Sequence, residues 1–272
     1  MRALYCLLGD PVAHSRSPAV HARAFSLLGV DAVYAPFRVD GAELVTAVAG
    51  LRALGGVAGF NVTVPHKEAV AKLVDKIEPA AARIGAVNCV VVRERELHGH
   101  NTDAPGLLRA LRAAGVNPAG LKAVVVGAGG SARAAAWALS GVASHVTVLN
   151  RTALKARALA ALVQAAGVSA SADGLDAEAP LREAQLVVHC TSIGLGTSEL
   201  PFDPKLLSPS CALVDLVYAP GGATALLSAA PVAHKIDGLD VLVHQAIASL
   251  ELWLGRPQLD GLFADLREAA LG

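Results

Sequence analysis

At 272 residues the chain is long enough for two moderate domains, and its 23 Lys plus Arg cancel its 23 Asp plus Glu to a formal net charge of zero. That balance leaves no global field to attract nucleic acid or an anionic membrane, so a small-molecule substrate is the expected partner. Apolar residues make up 54% of the chain but aromatics only 4%, which predicts cores of small aliphatic side chains.

Cys6, Cys89, Cys190 and Cys211 lie far apart in or beside apolar runs and form no C-x-x-C pair, the usage of reduced, buried thiols in a cytosolic protein. The run from Met1 to Asp10 is too short for a signal peptide. The nearest approach to a membrane span, Ala134 to Leu149, is broken by Ser140-Gly141 and His145. The protein is therefore expected to be cytoplasmic. None of the nine histidines has zinc spacing; His98 and His100 come closest, on one face of a strand, and no metal is expected.

In chain order, Leu4 to Leu8 reads as a strand, Pro18 to Leu28 as a helix stopped by Gly29, Val33 to Val39 as a second strand and Ala42 to Leu54 as a second helix. A third strand ends in Asn61-Val62-Thr63-Val64-Pro65, and helical spacing follows from His66 to Ile77. Ala86 to Arg93 and Glu96 to His100 form an expected hairpin. Pro105 to Ala114 is a helix closed by Gly115. Beyond it, continuous apolar strands (123–126, 146–149, 186–190, 212–215, 235–237) alternate with helices (132–139, 154–166, 223–228), and two helices close the chain (241–254, 259–270). Strands apolar on both faces and separated by helices predict a doubly wound parallel sheet, whereas the earlier hairpin predicts a mixed one.

Two clusters carry chemistry. Gly127-Ala128-Gly129-Gly130-Ser131-Ala132 fits G-x-G-x-x-G/A after a strand and at the start of a helix. Gly127 permits the tight turn, Gly129 lets a pyrophosphate approach and Ala132 lets helix and sheet pack; the plain alternative is a turn with no ligand. The next strand ends in Asn150-Arg151-Thr152, with Lys155 one turn on, and lacks the acid that holds an unphosphorylated ribose. Arg151 suits a 2′-phosphate, favouring NADP over NAD, unless it is only a solvated loop residue.

In the first half, Ser15 and Ser17 flank Arg16 just ahead of a helix; Ser17 is either an N-cap or, with Ser15, a substrate anchor. Asn61 and Thr63 share a strand face. Asn88 lies in an apolar run, where an unpaired amide costs roughly 1–3 kcal/mol, so backbone or substrate must satisfy it. Lys67 stands at a helix start, whose field disfavours a cation. Asp103 is either an N-cap or the carboxylate that offsets that field, and a Lys and Asp pair suits proton movement during interconversion of an alcohol and a ketone.

The chain resembles the shikimate dehydrogenases of the aromatic amino-acid pathway over essentially its whole length. The resemblance rests on His14-Ser15-Arg16-Ser17-Pro18, Asn61-Val62-Thr63-Val64-Pro65-His66-Lys67-Glu68, Ile84-Gly85-Ala86-Val87-Asn88, Asn101-Thr102-Asp103, the glycine turn, Asn150-Arg151-Thr152, Asp215-Leu216-Val217-Tyr218, and Gly238-Leu239 through Leu242-Val243-His244-Gln245-Ala246. It implies an α/β enzyme with a mixed-sheet substrate-binding and catalytic domain (1–103 and 239–272) and a Rossmann-type NADP domain (104–238). The implied activity is reversible NADPH-dependent reduction of 3-dehydroshikimate to shikimate, in a cleft between the domains of a monomer or homodimer. It further implies Lys67 and Asp103 as catalytic residues, and Ser15 and Ser17 as carboxylate anchors. Asn61, Thr63, Asn88, Asp103 and Gln245 would bind ring hydroxyls, with Tyr218 and Gly238 lining the cleft. The glycine turn, Asn150, Arg151, Thr152, Lys155, Thr191 and Gly238 would meet the cofactor. One departure is the loop His189-Cys190-Thr191-Ser192-Ile193-Gly194, where the family often has Asn-Ala-Thr-Ser-x-Gly; others are Ala104 for a usual glycine, and Asp240 and Val241 for a small residue and a methionine. The rivals are a quinate/shikimate dehydrogenase using NAD(P), and a catalytically silent protein that senses shikimate or nucleotide.

Overall fold

The structure, a computed structural model, describes residues 2–219 and 222–272; Met1, where the N-terminal apolar run begins, lies outside them. The chain divides into two compact units, Met1–Gly106 with Leu242–Gly272, and Leu107–Val241.

The first unit runs β1 (Ala3–Gly9), α1 (Ser17–Leu28), β2 (Ala32–Arg38), α2 (Leu44–Ala53), β3 (Val57–Val62), α3 (Lys67–Val70), β4 (Lys76–Ile77), α4 (Pro79–Ile84), β5 (Cys89–Arg93), β6 (Glu96–His100) and the first residues of α5 (Asp103–Ala113). Its sheet has the order β2-β1-β3-β5-β6-β4. The β1 strand pairs in parallel with β2 and β3, while β3 with β5 and β5 with β6 are antiparallel. Glu94 and Arg95 turn the hairpin with φ of 51° and 67°, the doubly positive pattern that matches strand twist. Cys6, Leu8, Phe60, Val62, Val90 and Leu97 pack into one apolar cluster.

The second unit runs β7 (Lys122–Val126), α6 (Gly130–Ser140), β8 (His145–Leu149), α7 (Ala153–Ala165), β9 (Ser169–Asp173), α8 (Ala179–Glu183), β10 (Leu186–His189), β11 (Ala212–Asp215), α9 (Ala225–Ala229) and β12 (His234–Ile236). All its strand pairs are parallel, in the order β12-β11-β10-β7-β8-β9. Counted within the unit this is the 3-2-1-4-5-6 order of a Rossmann fold, with the reversal between β7 and β10, where ligands of open α/β sheets bind. The strands β10 and β11 are buried along their whole length, as their unbroken apolar runs require. Helix α10 (Gly238–Leu254) returns the chain to the first unit, which α11 (Phe263–Leu271) completes.

The predicted helix from His66 to Ile77 is shortened to α3, one turn long. Tertiary pairing overrides the helical spacing: the Asp75 and Glu78 N–H groups donate to the Leu97 and Gly99 carbonyls, and β4 adds to the edge of β6. The first strand of the hairpin begins at Cys89 rather than Ala86. The sequence pattern also misses α4, α8 and β9. The β9 strand reads Ser-Ala-Ser-Ala-Asp and has little β propensity; Ser169 and Ser171 bond the ring of His145 on β8 and fix it as an edge strand. Cys6, Cys89 and Cys211 are buried and Cys190 is half-buried, and all four are free thiols. Burial pushes the Cys6 and Cys89 thiols up to about 12. Among the described residues no His, Cys, Asp and Glu cluster has the makings of a metal site, and no helix is long and apolar enough to cross a membrane.

Candidate active site

In the first unit the candidate residues converge at the ends of β3, β5 and β6. Lys67 follows the β3 strand by one turn, and its Nζ donates to Asp103 Oδ2 at 2.6 Å, with side chains only 10% and 17% exposed. Such a bond is charge-assisted and short. The other oxygen, Asp103 Oδ1, accepts from Asn88 Nδ2 at 2.8 Å. Asp103 is free for this because Asn101 takes the capping position: its Oδ1 accepts from the Ala104 N–H at the start of α5. The N-cap alternative for Asp103 is therefore not what the fold uses.

Asn88 is 2% exposed and fully satisfied. Its Oδ1 accepts from the Thr102 N–H at 2.7 Å, and its Nδ2 also donates to Thr102 Oγ1 and Gln245 Oε1. Helix α10 supplies Gln245 and, four residues on along the same face, Ser249. Ser249 donates to the Gln245 carbonyl, so its lone pairs are left for Thr102 Oγ1 and Asn61 Nδ2, both at 3.1 Å. Asn61 also donates to the Asn88 carbonyl and accepts from the Tyr34 hydroxyl at 2.9 Å. Both of its N–H groups are thus committed inside the protein. Gln245 Nε2 donates to the Leu242 carbonyl.

Ser17 is the first residue of α1, not its N-cap, and its N–H donates to Ser15 Oγ at 3.2 Å. Ser17 is 5% exposed. Ser15 and Thr63 are half-buried. The ring of His21 stacks on Tyr34 with centroids 4.1 Å apart, and its Nδ1–H donates to the Ser17 carbonyl. Sequence reasoning did not assign Thr102, Ser249, Tyr34 or His21 to the site. Ser249 was findable from its four-residue spacing to Gln245, and Thr102 from its place between Asn101 and Asp103; Tyr34 and His21 offered no sequence signal.

In the second unit, β7 leads directly into the glycine turn. Gly127 has φ of 119°, and a Cβ there would lie 3.2 Å from Thr191 Cγ2, so only glycine suits the position. Gly129 is the N-cap of α6 and contributes no side chain, while space is open where its Cβ would point. Ala132 is fully buried. The start of an eleven-residue helix, α6, is thus presented to whatever occupies that space, the arrangement that binds phosphates. At the end of β8, Asn150 Nδ2 holds the Thr152 carbonyl, and Arg151, Thr152 and Lys155 are exposed. A cationic edge with no acid from Asn150 to Thr152 fits a dinucleotide bearing an extra ribose phosphate. Tyr218 is half-buried and Gly238 buried; a Cβ on Gly238 would overlap the Leu216 carbonyl. Ala128, Gly130 and Ser131 complete the turn, half-buried.

A mixed-sheet unit carrying a buried Lys and Asp pair, and a Rossmann unit with a glycine turn, together define the class of dinucleotide-linked α/β dehydrogenases. Residues 7–90 match the family model described as shikimate dehydrogenase substrate binding domain, and residues 110–195 the one described as shikimate / quinate 5-dehydrogenase. A shikimate dehydrogenase (NADP(+)) of Moorella thermoacetica is 44% identical over 261 residues, covering 93% of this chain and 88% of its own. Another, of Thermococcus kodakarensis, is 40% identical and covers 98% and 96%. The crystal structure of shikimate 5-dehydrogenase from Thermus thermophilus in complex with NADP(H) and shikimate superposes with a TM-score of 0.85 at 37% identity, covering 98% of both chains. This chain belongs to the shikimate dehydrogenase family.

Proposed function

We propose that the protein catalyses the reversible NADPH-dependent reduction of 3-dehydroshikimate to shikimate, with Lys67 and Asp103 as its catalytic pair. The observation that carries this reading is the 2.6 Å contact between two little-exposed charged groups, braced by Asn88. When bound, the dinucleotide supplies the hydride in reduction and accepts it in oxidation. The ketone oxygen then needs a proton and, until it arrives, a positive charge beside it. The Lys67 ammonium provides both at Nζ, and Asp103 fixes its direction. Because Asp103 has one oxygen on Lys67 and the other on Asn88, the carboxylate cannot swing away when Lys67 gives up its proton.

In the same reading Ser15 and Ser17 anchor the substrate carboxylate. Thr63, Asn88, Gln245 and Asp103 meet ring hydroxyls, and Tyr218 and Gly238 line the site. Asn61 joins these ligands and, through its bonds to the Asn88 carbonyl and Ser249, also holds those two residues in place. Gly127 to Ala132, Asn150, Arg151, Thr152, Lys155 and Thr191 hold the dinucleotide. A cytoplasmic location and a monomeric or homodimeric state belong to the same proposal.

The test is an absorbance assay at the NADPH band, with shikimate and quinate each offered with NADP+ and with NAD+. Shikimate with NADP+ is the expected preferred pair, and preference for quinate with NAD+ would overturn the assignment. Replacing Lys67 by alanine is expected to lower kcat by roughly 10²–10⁴-fold while KM changes little, because the lost interaction belongs to the transition state. Turnover near that of the unaltered protein would remove Lys67 from the mechanism.

A further inference from the structure

The strands β10 and β11 end side by side: His189 pairs with Asp215 in parallel register, and His189 also lies opposite Val126, the residue before Gly127. Both His189 and Asp215 are essentially inaccessible, at 0% and 1% exposure. His189 Nδ1 is 2.8 Å from Asp215 Oδ1, and His189 Nε2 is 2.6 Å from Thr191 Oγ1. Asp215 is further held by the Val217 N–H on Oδ1 and by the Thr224 hydroxyl on Oδ2, at 3.0 and 2.6 Å. A carboxylate only accepts, so Nδ1 carries the proton. In the tautomer with its single proton on Nδ1, Nε2 is bare and accepts the Thr191 hydroxyl proton. The Ile193 N–H donates to the oxygen of that same hydroxyl at 3.2 Å. With its hydroxyl turned inward, Thr191 presents Cγ2 to the Gly127 turn.

We infer that His189 is a positioning residue for the dinucleotide side of the site. It fixes the Thr191 rotamer so that a methyl group, not a hydroxyl, meets the glycine turn, and through Asp215 it ties this loop to the Val217 amide that precedes Tyr218. The connectivity is that of a nucleophile, base and orienting acid. Here, however, the Ile193 N–H occupies the threonine oxygen and the threonine methyl abuts the turn, so the relay holds a side chain rather than activating it. The inference rests on the dinucleotide reading of this unit. It makes the histidine at 189 a working part of the loop, in a role that an asparagine there can largely fill.

Two measurements on the full chain test it. Titration with NADPH, followed by the cofactor's fluorescence, is expected to give a Kd about tenfold higher for His189→Ala, the size of one lost hydrogen bond. His189→Asn, whose amide offers a donor to Asp215 and an acceptor beside it, is expected to recover most of that loss, with both variants matching the unaltered protein in circular dichroism. An unchanged Kd for His189→Ala, or an equal loss in His189→Asn, would overturn the positioning role. The second measurement, nitrogen-15 NMR of the His189 ring without cofactor, is expected to show Nδ1 protonated and Nε2 bare at neutral pH. A protonated Nε2 would overturn the assignment of the threonine proton. Should the unaltered protein fail to bind NADPH at all, the dinucleotide reading falls and takes the positioning role with it; a loss confined to His189→Ala overturns neither.

Discussion

Arg151 is exposed beside Thr152 and Lys155 at the end of β8, and in the proposed function its charge discriminates between two cofactors. A guanidinium fork pairs with a phosphate but gains little from a bare ribose. Arg151→Ala is therefore expected to raise the Kd for NADPH about tenfold or more while the Kd for NADH changes by less than about threefold, measured by fluorescence titration with each. Equal losses for both would contradict the phosphate role. At this scale the sequence was informative about residue types and weaker about their duties. An asparagine in an apolar run had to be satisfied, and Asn88 is, by Thr102, Asp103 and Gln245. Nothing in the letters around Asn61 showed that Tyr34, 27 positions away, and Ser249, 188 positions away, would consume its amide. Partners that distant are set by topology, which no local pattern encodes.

Among the elements, those with an unbroken apolar run or a clear cap were legible, and those made by pairing were not. The β11 strand follows the expected residues, Ala212–Asp215, and α1 ends at Gly29 in the left-handed conformation with φ of 62°. By contrast β4 exists because β6 recruits it, and β9 because His145 binds its serines. The shortening of α3 also bears on Lys67. A single turn aligns few peptide dipoles, so the opposing helix field is far weaker than a helix to Ile77 would supply. Where α5 meets α10, Gly106 allows the approach: a Cβ there would lie 2.8 Å from the Gln245 N and 2.9 Å from its Cα. These are backbone atoms and cannot rotate aside. Gly106→Ala is expected to cost roughly 1–3 kcal/mol in urea unfolding and to lower kcat by disturbing Asp103 and Gln245. An unchanged midpoint would show that the two helices are not so closely packed.

For the molecule as a whole, acid sensitivity follows from His21. Its ring lies in the aromatic cluster of Tyr34, Phe25 and Trp253, and its Nε2 has no hydrogen-bond partner. Burial lowers its pKa from 6.5 to about 4, opposed only by the bond to Ser17. The folded state therefore keeps the ring neutral at pH values where the unfolded chain is already protonated. Above pH 6.5 this costs nothing; as pH falls from 6.5 towards 4 the unfolded state binds the extra proton and stability drops, by about 3 kcal/mol in total. His21→Phe, which keeps a ring but cannot titrate, is expected to lose that much less between pH 7 and pH 4 in urea unfolding. Parallel losses in both proteins would assign the acid sensitivity elsewhere. The return of the chain to its first unit has another consequence. That unit is interrupted at Gly106 and resumed at Leu242, and the late segment is fastened to the early one by Ser249 on Asn61 and Thr102 and by Gln245 on Asn88. The last of them reaches Asp103 at one remove, because the Asn88 Nδ2 that donates to Gln245 also donates to Asp103. The polar network is therefore also a clasp, so that release of the C-terminal segment would take with it a support of the Lys67 and Asp103 pair on which the proposed function rests.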